Sequence, residues 1–219
     1  MTAFRLLSTK ILLPSQRRRF VDLGVDYIEH NFISIEHLTF HEEIPKKPLI
    51  FTSQNAVRAV LNYLRKGIYE CYCVGEKTKQ LLVENGQKVL KTTSNATDLG
   101  HFLAHLAQKQ SFLFFTGNER RPAIESALKI SKHALEIREV YKSYPTSKAL
   151  GMAQGILFFS PNGVKSYLQT NALNDQQTFA IGTTTASALE KYTPHIIIAR
   201  QPSVEHLLVA VKKHLQLLC

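Results

Sequence analysis

The chain has 219 residues, of which 44% are hydrophobic and 20% charged, a balance that fits one large globular domain or two of about 100 residues. No apolar run approaches the roughly 20 residues of a membrane helix, and the basic cluster Arg17–Arg18–Arg19 follows the N-terminal apolar stretch instead of preceding it, so neither a span nor a secretory signal is expected and a cytoplasmic setting is. A formal net charge of +10 predicts attraction for polyanions, yet the basic residues are scattered and form no zinc finger, RNA-binding signature or basic heptad region, which argues against nucleic acid and for a small molecule rich in carboxylates or phosphates.

In chain order, short apolar runs alternate with helical patterns, the sign of parallel sheets with crossover helices. The segment RLLST (5–9) predicts a first strand, followed by a helix around Ser15–Leu23 and a strand near Tyr27–Asn31. An extended stretch, FISIEHLTFHEEIPKKP, then ends in prolines. Strands are expected at Leu49–Thr52, Tyr72–Val74, Lys88–Leu90 and Phe112–Phe115, the last leading to a helix near Pro122–Lys129. Glu136–Tyr141 is a further strand that runs into the linker-like SYPTSKAL. Three more strands, Ile156–Phe159, Phe179–Ile181 and His195–Ile198, precede a closing helix at Val204–Leu217.

Residues 49–89 recur without a gap at 156–196, 107 positions on. LIFTSQNAV lies over ILFFSPNGV and YCVGEKT over FAIGTTT, in a register that pairs Ser53 with Ser160, Asn55 with Asn162, Gly75 with Gly182 and Thr78 with Thr185. The apolar matches build strands, and the small or polar ones stand where a strand hands over to a helix. The chain is therefore expected to fold as two similar parallel α/β lobes, flavodoxin-like or Rossmann-like, of five strands each. One is discontinuous, 1–35 plus 147–219, and the other spans 36–146. The chain crosses between them near 32–40 and 139–147 as a two-stranded β linker, a hinge that still permits opening.

Ligands of parallel sheets gather at the carboxyl ends of strands. The residues there are Thr52-Ser53-Gln54-Asn55, Gly75-Glu76-Lys77-Thr78, Thr92-Thr93-Ser94-Asn95, Thr116-Gly117-Asn118-Glu119, Ser8-Thr9-Lys10, Ser160-Pro161-Asn162-Gly163 and Gly182-Thr183-Thr184-Thr185. Hydroxyl and amide side chains at such turns cap the next helix, and backbone N–H groups left free hold anions. Gly75, Gly117 and Gly182 would let a ligand approach the backbone. No G-x-G-x-x-G, P-loop, H-E-x-x-H or G-x-S-x-G motif is present, and no carboxylate pair suits acid–base work. His101 and His105, spaced i, i+4, lack an evident third ligand. Cys71, Cys73 and Cys219 form no C-x-x-C pair and read as reduced thiols. An enzyme without a strong acid, base or metal would act on an already reactive substrate by positioning it.

The segments IFTSQNAVRA (50–59), CVGEKT (73–78), FTGNERR (115–121), VYKSY (140–144), FFSPNGVKS (158–166) and AIGTTTASAL (180–189) resemble, in order and spacing, those of the uroporphyrinogen-III synthase family, over nearly the whole chain. The resemblance implies two α/β lobes joined by a β-ladder. It also implies a lyase that dehydrates and closes hydroxymethylbilane, a linear tetrapyrrole with eight carboxylates, inverting ring D to give uroporphyrinogen III, with no metal or organic cofactor. It places at Tyr141 the tyrosine that assists loss of the substrate hydroxyl, with Tyr144 as the nearby alternative. Ser53, Thr78, Ser160, Thr184 and Thr185 match polar family positions and Arg121 a basic one; with Thr52, Asn55, Gly75, Gly117, Asn118, Asn162 and Gly182 of the turns above they form the expected substrate site. Many members carry Arg-Pro or Lys-Asp after the first strand where this chain has Thr9-Lys10, which makes Lys10 the expected basic group there; Pro122 stands where glutamate is frequent. A monomer is expected, with the preceding enzyme of the pathway as a candidate partner. The competing class is a non-catalytic two-lobed protein that binds an anionic small molecule; it would have no need of Tyr141.

Overall fold

A computed structural model of the chain describes residues 4–39 and 43–217. Cys219 and residue 40 of the first expected crossing lie outside them. The chain divides into two compact units, Met1–Ser34 with Tyr144–Cys219, and Ile35–Ser143. The first unit begins with β1 (Arg5–Ser8), α1 (Pro14–Val21) and β2 (Asp26–Glu29), and β3 (Ile33–His37) carries the chain into the second. There follow β4 (Leu49–Phe51), α2 (Gln54–Ala59), α3 (Leu61–Leu64), β5 (Glu70–Val74), α4 (Glu76–Glu84) and β6 (Lys88–Thr93). That unit closes with α5 (Ala96–Ala104), β7 (Ser111–Gly117), α6 (Ala123–Lys129) and β8 (Ala134–Pro145). The chain then returns to the first unit as β9 (Gly155–Phe158), α7 (Pro161–Tyr167), β10 (Gln177–Ala180), α8 (Thr183–Leu189), β11 (Ile196–Ile198) and α9 (Val204–Gln216).

The sheet orders are β11-β10-β9-β1-β2 and β3-β8-β7-β4-β5-β6. The pairings of β1 with β2 and β9, of β10 with β9 and β11, of β4 with β5 and β7, of β5 with β6 and of β7 with β8 are all parallel. Taken from β9 onward, the first unit has the same order as the second without β3. The expected count of five strands per unit is thus corrected in the second, where the extended stretch after Phe32 adds β3 at the edge beside β8. The expected strand at Glu136–Tyr141 is longer too: β8 runs twelve residues, into the first residues of the expected linker.

Strand side chains alternate between the faces of a sheet, and both faces here are covered. In the second unit Leu49, Phe51, Cys71, Cys73, Leu113 and Phe115 pack on one face with Ala56 and Val57 of α2. Ile50, Tyr72, Phe112 and Phe114 pack on the other with Leu99 and Leu103 of α5 and Ile124 and Leu128 of α6. In the first unit Leu6, Leu157 and Phe179 meet Phe20 of α1 and Leu207, Leu208 and Val211 of α9. On its opposite face Leu7, Ile156, Phe158 and Ala180 meet Val164 of α7 and Leu189 of α8. Burial on both faces explains why these strands read as continuous apolar runs. Helix α9 shows the complementary logic: its buried Val204, Leu207, Leu208 and Val211 fall at i, i+3, i+4, i+7, and Ser203 caps it by accepting the His206 N–H at 3.2 Å. Among the described residues no helix is long and apolar enough to cross a membrane.

Candidate functional site

Each sheet has a point where the strand order reverses, the place where open α/β sheets leave a crevice at the carboxyl ends of their strands. In the second unit it lies between β4 and β7; in the first, between β9 and β1. The turns after these four strands carry most of the residues expected to bind or react. A cavity of about 820 Å³, lined by Ile44, Lys47, Tyr63, Lys66, Tyr69 and Glu70 among others, opens at the opposite, amino-terminal edge of the second unit's sheet and holds none of them.

In the second unit Thr52, Ser53 and Asn55 are half-buried after β4, and the Ser53 hydroxyl oxygen accepts the Asn55 N–H at 3.1 Å. Ser53 is therefore an N-cap, which leaves its O–H free to donate. Gly75 has φ +84°, a left-handed conformation that disfavours a side chain, although nothing lies within 4 Å of where a Cβ would be. Thr78 is buried in the first turn of α4, its N–H bonded to the Gly75 carbonyl at 3.1 Å.

After β7, Gly117, Asn118 and Tyr141 come together. The ladder between β7 and β8 slips by one residue, so that Thr116 faces Glu139 and Gly117 faces Tyr141. A Cβ on Gly117 would lie 2.5 Å from Cε2 and Cζ of Tyr141. The space that glycine leaves is therefore taken by the tyrosine ring; it is not open to a ligand, as the sequence alone suggests. The Asn118 amide is also committed: its Oδ1 accepts the Ser143 N–H at 2.8 Å, and its Nδ2 donates to the Ser143 carbonyl at 3.4 Å. Tyr141 is half-buried, packed at the edge of the Phe51 and Phe115 cluster, and its hydroxyl has no hydrogen-bond partner among the described residues. Tyr144 is 39% exposed and belongs to the first unit.

Of the two adjacent arginines, Arg120 is tied down, with ion pairs of 2.7 Å to Glu125 on α6 and to Glu139 on β8, and the Glu125 contact leads in raising its pKa. Arg121 is exposed and makes no ion pair among the described residues.

In the first unit the Ser160 hydroxyl oxygen accepts the Gly163 N–H at 3.0 Å, capping α7, and Asn162 is half-buried beside it. Gly182 precedes α8 in an extended conformation; Thr185 is buried with its N–H bonded to the Gly182 carbonyl at 3.1 Å, and Thr184 is exposed. Thr9 donates to the Leu157 carbonyl from both its N–H (3.0 Å) and its hydroxyl (2.7 Å), which stitches the turn after β1 to β9. Lys10 is exposed on that turn. The next two N–H groups are held from the end of β2, Ile11 by Asn31 at 2.8 Å and Leu12 by Glu29 at 3.0 Å. Glu29 also takes the Tyr27 hydroxyl and an ion pair from Arg17; burial, before any other cause, raises the Tyr27 pKa.

Ser143, Asn31 and Glu29 are contributors that sequence reasoning passed over. Each acts on a turn from a neighbouring strand 17 to 25 positions away, so no local pattern signals it.

These features define a class: parallel α/β proteins built from two units of one strand order, with hydroxyl- and glycine-bearing turns at the switch points and one tyrosine seated on a glycine. Residues 16–209 match the family model described as "Uroporphyrinogen-III synthase HemD", and the chain belongs to the uroporphyrinogen-III synthase family, enzymes of tetrapyrrole biosynthesis. The fold is similar to that of uroporphyrinogen-III synthetase from Helicobacter pylori, with a TM-score of 0.69 at 20% identity over 98% of this chain and 99% of that one. It is equally similar to a mutant uroporphyrinogen III synthase from the extremely thermophilic bacterium Thermus thermophilus, with a TM-score of 0.69 at 15% identity over 98% and 99% of the two chains. No curated protein matches the chain by sequence.

Proposed function

We propose that the chain dehydrates and closes hydroxymethylbilane with inversion of ring D, giving uroporphyrinogen III and water. The observation that carries this reading is the family match over residues 16–209. A net charge of +10 suits a substrate with eight carboxylates.

The chain works as two lobes, 1–35 plus 147–219 and 36–146, whose proposed bounds lie within three residues of the two compact units. In each unit the carboxyl-edge turns offer hydroxyl, amide and backbone N–H groups to carboxylates of the tetrapyrrole. Ser53 and Ser160, whose oxygens cap helices, donate their O–H groups to acetate or propionate chains. Thr52, Asn55, Asn162 and Thr184 add polar contacts, while buried Thr78 and Thr185 shape the first turns of α4 and α8. Lys10 and Arg121 pair with carboxylates. Gly75 and Gly182 keep the turns after β5 and β10 low, so that a carboxylate reaches the backbone.

Tyr141 donates a hydrogen bond to the departing hydroxyl as the substrate becomes an electrophilic azafulvene. Positioning then directs attack to the substituted carbon of ring D; the spiro-pyrrolenine so formed fragments and recloses. Uncatalysed closure gives the type I isomer, so selectivity is differential binding of one transition state, and each ~1.4 kcal/mol is worth tenfold. The enzyme works as a monomer.

The test is direct. Fresh hydroxymethylbilane with the purified protein should yield mainly the type III isomer; the isomer mixture of buffer alone would refute the activity. Tyr141→Phe should slow turnover about 100-fold, the lower range of general-acid contributions, with KM nearly unchanged. A variant at the parent rate would remove Tyr141 from the mechanism. The family match disfavours a purely binding role.

A further inference from the structure

We infer that Asn118 is a positioning residue that sets the Tyr141 ring through the backbone of β8, and that it does not itself hold substrate. This rests on the assignment of Tyr141 above and deepens it.

The β7–β8 ladder is irregular just where the tyrosine stands. Between the Thr116–Glu139 and Gly117–Tyr141 pairs, β8 carries one residue more than β7, a β-bulge at Val140. A bulge re-aims the side chain that follows it, and here that side chain is Tyr141. Val140 is buried in the Phe51 and Phe115 cluster, which anchors one side of the bulge. On its outer edge β8 is held by β3, and the Leu38 N–H donates to the Val140 carbonyl at 2.9 Å; on its inner edge, past Gly117 where β7 ends, the ladder offers no further partner.

Asn118 supplies one. Its N–H donates to the Tyr141 carbonyl at 3.3 Å, and its side chain closes on both backbone groups of Ser143. An amide is the side chain suited to that task, because it presents one acceptor and two donors side by side. Three hydrogen bonds from a single residue thus bracket Tyr141, at its own carbonyl and at both polar groups two residues on. Gly117 completes the seat by leaving its Cβ space to the ring. A tyrosine aligned to a departing hydroxyl must be held to a fraction of an ångström, and this bracket is built to do so.

The first measurement reads the ring itself. In protein labelled with 3-fluorotyrosine, the fluorine resonance of Tyr141 is assigned by its loss in Tyr141→Phe. Asn118→Ala should shift or broaden that resonance while those of Tyr27 and Tyr167 stay in place. An unmoved Tyr141 resonance overturns the inference, whatever the activity does, so it is tested apart from the role of Tyr141 in the reaction.

The second measurement is a double-mutant cycle. Asn118→Ala should lower kcat about tenfold with KM changed less than twofold, and should add no further loss in the Tyr141→Phe background. A rise in KM with kcat intact, or equal losses in both backgrounds, overturns the inference.

Discussion

The two units share one strand order but finish their switch points in opposite ways. In the first, the turn after β1 carries Thr9, whose N–H and hydroxyl both bond the Leu157 carbonyl on the neighbouring strand. In the second, β7 ends on Gly117, and the space a side chain would fill is taken by the Tyr141 ring. The turn after β1 is stitched to β9, whereas the end of β7 carries no side chain, and the ring from β8 fills that space. A repeat of secondary structure thus supports a division of labour, in which the first unit contributes fixed turns and the second the tyrosine proposed to assist the departing hydroxyl. The cores differ in the same sense. Cys71 in β5 corresponds to Thr178 in β10, and the first unit buries a hydroxyl donating 2.6 Å to the His195 carbonyl where the second buries a thiol.

The comparison can be strained hardest at the core. Phe115→Ala should cost ~3–5 kcal/mol, as deletions of buried aromatic side chains do. Amide exchange should speed up in β4 and β7 while β1 and β9 stay protected; equal loss in both sheets would mean that the units unfold as one. Next, Gly117→Ala should bring turnover down about 100-fold, roughly the loss expected of Tyr141→Phe. The atoms that must yield belong to a side-chain ring that can turn aside, so the melting temperature should hardly move. An active Gly117→Ala enzyme would break the contrast with Thr9.

Thr9→Val should act inversely. It strips the buried hydroxyl from the Leu157 carbonyl, which keeps the Thr9 N–H, at a cost of ~0.5–1.5 kcal/mol in stability, with the isomer ratio of the product unchanged. A smaller effect follows from the thiol. Burial, ahead of the neighbouring Cys73 and Glu70, pushes Cys71 up to about 12. A folded pKa above the unfolded one means stability that is complete below the ordinary thiol range and is lost as pH climbs toward about 12. The unfolding free energy from denaturant titrations should therefore fall above about pH 9, by up to ~1.4 kcal/mol per pH unit, and Cys71→Ala should flatten that slope. Smallest are the caps. Ser53→Ala and Ser160→Ala should each cost ~1 kcal/mol. Ser53 bonds the N–H two residues on and Ser160 the one three residues on, so unequal costs would rank the two cap geometries.

Much of this architecture was legible in the chain because strands buried on both faces leave unbroken apolar runs, and the match of 49–89 with 156–196 doubled that signal. Ser53, Ser160, Gly75 and Thr78 were legible as turn residues because capping and positive φ are local needs of the backbone, met within three residues. Tyr141 and Gly117 could each be singled out in the sequence, but not their contact. They stand 24 positions apart, and a one-residue slip between β7 and β8 decides that they meet. The same holds for Asn118: at a strand-to-helix turn its amide reads as a ligand for substrate, and only the path of β8 past it shows both ends spent on Ser143. Local sequence thus determined the elements, their order and the polarity of their turns, since propensity and periodicity act over a few residues. Which turns reach a neighbouring strand, and which residue seats the tyrosine, were left to tertiary structure, because register between distant strands is set by the packing of the whole sheet.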